Sequence, residues 1–82
     1  MQLTLRGIGV PIVILYLTEL GGAETAPGLI AGPGWQARVW AGEPVRLHAL
    51  RLGVTEVAFS GEPAAVEQVI AALQKKAIRA GG

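Results

Sequence analysis

Residues Val54–Ala80 read VTEVAFSGEPAAVEQVIAALQKKAIRA, and this stretch decides the fold class. Val54–Ser60 alternates and is rich in β-branched and aromatic side chains, which predicts a strand. Gly61-Glu62-Pro63 turns that strand into a helix, because a proline in the first helical turn forfeits no hydrogen bond. A period of 3.6 residues then places Val66, Val69, Ile70, Leu73, Ala77 and Ala80 on one stripe, with Glu67, Gln68, Gln74, Lys75 and Arg79 opposite. One face is thus built for burial, and four large aliphatic side chains at roughly 1.5 to 3 kcal/mol each stabilise it by several kcal/mol. Lys75, Lys76 and Arg79 lie where cations favour the negative end of the helix dipole, and Gly81 is expected to stop the helix. Ile78 falls on the polar side, either as a harmless exposed residue or as one point of a contact with another chain.

Upstream of Gly53, Val45–Leu50 also alternates as a strand. Its apolar phase flips between Val45-Leu47-Ala49 and Leu50-Leu52, which predicts a bulge or bend near Leu50 and Arg51. Ala41-Gly42-Glu43-Pro44 is a turn, Trp35–Trp40 another alternating strand, and Gly32-Pro33-Gly34 separates it from the short strand Leu29-Ile30-Ala31. Gly21–Gly28, GGAETAPG, reads as a loop and as the most mobile segment. Pro11–Leu20 is ambiguous, since Ile12-Val13-Ile14-Leu15-Tyr16-Leu17 has strand propensity, but Pro11 and Gly21-Gly22 are helix punctuation and it is read as a short helix. At about 15 Å it is half as long as a bilayer is thick. Met1–Arg6 alternates Leu3 and Leu5 with Gln2, Thr4 and Arg6, a strand with one wet face. A signal peptide cleaved after Ala23-Glu24-Thr25-Ala26 would leave too little chain for a core, so the expected compartment is the cytoplasm.

The order is therefore β-α-β-β-β-β-α: an α+β fold, with an antiparallel sheet, both helices on one face and the other face open. Trp35, Ala37, Val39, Val45, Leu47, Thr55, Val57 and Phe59 are assigned to the helix side. Thr4, Arg6, Gln36, Arg38, Trp40, Arg46, His48 and Glu56 are assigned to the open side, a basic surface with one aromatic.

At 82 residues the chain is expected to form one domain, 1–82, of a size at which a second copy is a common way to bury more surface. The absence of cysteine removes disulfides and thiolate metal sites. A net charge of +1 argues against nonspecific nucleic-acid binding. All acids are Glu, and Asp and Asn are absent; loss of deamidation-prone Asn favours a thermophilic source, although a GC-rich genome leaves a similar Ala, Gly, Arg and Val signature. His48 is the only histidine and has no Cys or Asp to share a metal with. Glu43 and Glu62 stand beside prolines in turns, and Gly32-Pro33-Gly34 lacks the lysine of a phosphate loop. No nucleophile, base and orienting group can be assembled, so neither enzymatic activity nor a metal or other cofactor is expected.

Pro11, Tyr16-Leu17, Gly21-Gly22, Pro33-Gly34, Val39, Glu43-Pro44 and the helix start at Gly61-Glu62 carry a resemblance across nearly the whole chain. In that order and near those spacings it resembles the C-terminal domain of unknown function of MoaD-related proteins. There it follows a ubiquitin-like domain similar to the small subunit of molybdopterin synthase. The resemblance implies a TATA-box-binding-protein-like architecture and a context in molybdopterin or sulfur-carrier metabolism, with no catalytic residues to carry over. These residues include no ubiquitin-like portion, which makes a separately encoded ubiquitin-like sulfur-carrier protein an expected partner.

The leading functional reading is an interaction or regulatory module that forms a homo-oligomer, a dimer, through its open sheet face. Arg38, Trp40, Arg46 and His48 would be its anchors, arginine and tryptophan being enriched in interface hot spots. Two alternatives stand beside it. Ubiquitin-like sulfur carriers end in Gly-Gly, as this chain does at Gly81-Gly82. The arginines and His48 beside Trp40 would also suit weak binding of nucleic acid or a small anion.

Overall fold

The computed structural model describes residues 1–81. Its elements are β1 (Gln2–Arg6), α1 (Val10–Glu19), β2 (Ala23–Ala26), β3 (Leu29–Gly32), β4 (Trp35–Ala41), β5 (Val45–Leu47), β6 (Leu50–Leu52), β7 (Val54–Gly61) and α2 (Pro63–Gly81). Five strands form one antiparallel sheet in the order β1-β7-β4-β3-β2, and β5 and β6 pair separately. The strand that organised the sequence reading lies inside the sheet, with β7 between β1 and β4 and Val57 opposite both Leu3 and Val39.

Burial follows the pleat. Trp35, Ala37 and Val39 of β4 and Thr55, Val57 and Phe59 of β7 are buried, while Gln36, Arg38 and Trp40 between them are exposed. On the covered side these residues pack with Val13 and Leu17 of α1 and with Val66, Val69 and Leu73 of α2. Both helices therefore lie on one face, as expected. Trp35 and Phe59 meet edge to face with ring centroids 6.4 Å apart, a favoured aromatic geometry. Thr55, the one buried polar residue among those described, donates its hydroxyl hydrogen to the carbonyl of Ile8 at 2.6 Å, which offsets its desolvation. Lys76 of α2 reaches Glu19 of α1 at 3.2 Å, but both are partly exposed, so the pair contributes little.

Three local expectations require correction. Gly21–Gly28 is not simply a loop: Ala23–Ala26 pairs with β3 and forms the sheet edge. All four of its residues are exposed, so no buried side chain announced the strand. Val45–Leu50 is not one strand with a bulge near Leu50 and Arg51. The chain reverses at His48-Ala49, and Leu47, Arg46 and Val45 face Leu50, Arg51 and Leu52. A two-residue reversal carries odd positions of one strand and even positions of the next onto the same face, which is the phase flip seen in sequence. Val45 and Leu47 accordingly leave the helix side, and Arg46 and His48 leave the open sheet side. Finally, Gly81 is still helical. The difference is one residue, within the one or two by which helix ends fray.

β4, β5, β6 and β7 thus form one long broken hairpin. Its base lies within the sheet, and its tip, Val45–Leu52, is an arm hinged at Gly42-Glu43-Pro44 on one strand and Gly53 on the other. None of the arm's side chains belongs to the core cluster.

Candidate functional site

On the face opposite the helices, strand register sets side chains in three rows. Gln2, Ala58, Arg38 and Leu29 make one; Thr4, Glu56 and Trp40 a second; Ser60, Gln36 and Ala31 a third. Small residues at Ala31 and Ala58 leave a shallow depression of about 510 Å³ between Leu29, Arg38 and Trp40. Trp40 is 37% exposed and Leu29 38%, enough for apolar contact with a partner.

Glu56 is the polar centre of this surface. It leans over Gly42, where a Cβ would come within 2.9 Å of its Cγ. Gln2 Nε2 donates to Glu56 Oε2 at 3.0 Å. The other oxygen, Oε1, is shielded from solvent and has no hydrogen-bond partner among the described residues. An unsatisfied buried acceptor costs about 1–3 kcal/mol, so a turn of the Glu56 carboxylate that exposes Oε1 to a donor is favoured. Arg38 stands diagonally across the β4–β7 ladder. Yet the ion pair found among the described residues is Lys76–Glu19, and neither Arg38 nor Glu56 enters one.

Arg38 and Trp40 therefore occupy the open face as expected, and Arg46 and His48 do not join them. Arg46 lies opposite Arg51 on the arm, a like-charge pair with a destabilising direct opposition. His48 lies in the arm's turn at φ 57, a left-handed conformation uncommon for a residue with a Cβ. His48→Gly should relieve about 1 kcal/mol of that strain. Slower amide exchange confined to Val45–Leu52, with the global melting temperature almost unchanged, is the expected result. Unaltered arm exchange would show the turn to be unstrained.

Of the Gly81-Gly82 pair, Gly81 ends α2 and Gly82 lies outside the described residues. Sequence reasoning placed Glu56 on the right face but had no means of seeing its unpartnered oxygen. Leu29 was missed because its facing depends on β3–β4 register, which a three-residue run did not define.

The fold and its open face can be set against known proteins. A family model described as archaeal MoaD-like protein matches residues 1–82. The chain belongs to that family. A comparison of this MoaD-like chain with curated proteins finds no match. Among its described residues, no helix is long and apolar enough to cross a membrane.

Proposed function

We propose that this MoaD-like chain is a protein-interaction module that self-associates through its open sheet face. The setting suggested by its family is molybdopterin or sulfur-carrier metabolism, where the assembled module would serve a structural or regulatory role. One observation carries the reading: Arg38 and Glu56, opposite in charge and in no ion pair among the described residues, share a face with Trp40 and a shallow depression. A two-fold interface presents the same patch from both sides, so the patch must complement itself. With Arg38 of each copy over Glu56 of the other, the guanidinium pairs with the carboxylate, and Trp40 and Leu29 close over the depression. Glu56 in the middle of this face also opposes binding of a phosphate backbone.

Charge reversal tests the pairing. Arg38→Glu and Glu56→Arg should each weaken self-association tenfold or more, since a lost charge pair at an interface costs about 1.4 kcal/mol or above. The double variant should restore it. Sedimentation velocity reads all three, and single variants that associate like the parent chain would refute the proposed pairing.

A further inference from the structure

The two edges of the sheet are built differently. β2 is short, its register slips between Glu24 and Ala26, and Pro27 follows it, all features that keep an edge from pairing. β1 has none of them and runs in unbroken register with β7. Met1 and Phe59 exchange backbone hydrogen bonds at 3.1 and 2.7 Å, and the Gly7 N–H reaches the Gly53 carbonyl at 2.9 Å. By the alternation of an antiparallel ladder, Gln2, Thr4 and Arg6 then turn their N–H and C=O groups away from β7. Beside this edge an open cleft of about 780 Å³ runs between β1 and the C-terminal half of α2. Leu5, Ile8, Ala77 and Ile78 wall it, and Ile78 is 72% exposed.

A strand added here has to be apolar toward the helices and polar toward the open face. β1 itself, Gln2-Leu3-Thr4-Leu5-Arg6, has that pattern. We infer that β1 pairs antiparallel with β1 of a second copy about a two-fold axis at Thr4. In this register Thr4 faces Thr4, and Gln2 of each copy faces Arg6 of the other. Every outward backbone group is engaged, in roughly six hydrogen bonds. A register centred on Arg6 would set two arginines directly against each other, and one centred on Gln2 would leave most outward groups unpaired. Leu3 and Leu5 of the added strand fall over the cleft and cover Ile78.

This edge contact is separate from the sheet-face reading. Its axis is normal to the sheet, whereas the axis of a face-to-face contact lies parallel to it. The two use different surfaces, and they would close into a four-copy particle with dihedral symmetry where the two axes intersect.

Native mass spectrometry of the full chain with Thr4→Lys and with Thr4→Glu tests the inference. Thr4 is exposed and lies opposite Glu56, so both variants should keep the parent's circular dichroism, Thr4→Lys should keep its urea midpoint, and Thr4→Glu should lower that midpoint by up to about 1 M. Either variant alone sets like charges against each other at the axis and should halve the native mass. An equimolar mixture should recover the parental mass through Lys–Glu pairing, a result specific to an axis at Thr4. Thr4→Lys with the parental mass, or a mixture that stays dissociated, would overturn the inference. Arg38→Glu reports on the face contact alone, so failure of one contact is read apart from failure of the other.

Discussion

Leu73→Asp is expected to leave the chain unfolded at room temperature. Leu73 is fully buried where α2 meets the sheet, at 0% exposure among Val66, Val69, Phe59 and the other members of the core. A carboxylate there loses its hydration, and among the described residues Thr55 is the one buried polar side chain that could face it. The aliphatic contribution is lost as well, so the penalty exceeds about 4 kcal/mol. For 82 residues the total stability is roughly 4–12 kcal/mol, so a penalty of this size removes from about a third to all of it, and the expected unfolding places this small domain toward the lower end. Leu73→Met keeps the volume and apolar character and should cost less than about 1.5 kcal/mol. Circular dichroism with urea titration distinguishes the two. A folded Leu73→Asp variant with a near-parental midpoint would mean that α2 is not held by this stripe.

Gly61→Ala is expected to cost about 3 kcal/mol, from left-handed strain together with a steric clash. Gly61 has φ 131, closes β7 opposite Trp35 and leads directly into α2. A Cβ there would press on the Gly34 carbonyl oxygen and stand 2.9 Å from the Trp35 Cα, backbone atoms that cannot swing aside. Gly53→Ala is the matched control. Its added Cβ meets nothing within 4 Å and its φ lies outside the left-handed range, so the substitution should be neutral or stabilise by up to about 1 kcal/mol through the unfolded chain. With a urea slope near 1 kcal/mol/M for a small protein, the Gly61 midpoint should fall by about 3 M and the Gly53 midpoint should hold. Equal midpoints would show that the β7–α2 junction tolerates a side chain.

Much of this fold is legible in sequence because its buried faces are strongly periodic. The α2 stripe, the β4 and β7 alternation and the β1 pattern are each tied to burial, and burial leaves a mark in residue type. What escaped was what burial does not mark. β2 is exposed along its whole length and was read as loop. The hairpin arm has an apolar face, Val45, Leu47, Leu50 and Leu52, with no core to fix its direction, so a reversal at His48-Ala49 and a bulge near Leu50 predict the same phase flip. That ambiguity carried Arg46 and His48 onto the wrong surface. Arg38 and Trp40 were placed correctly because they alternate with the buried Ala37 and Val39. The chemical character of the site lay outside sequence reach for a further reason. The unpartnered Glu56 oxygen depends on Gln2 of β1 and Gly42 of the β4–β5 connection converging on one carboxylate.

Self-association is the claim on which the account rests, and sedimentation equilibrium of the unaltered chain over a wide concentration range measures it directly. The chain has a mass of 8.5 kDa. A fitted mass that is an even multiple of this value, and that falls when Arg38→Glu is introduced, is the predicted result. A mass of one chain at every concentration would contradict both the sheet-face and the strand-edge contacts.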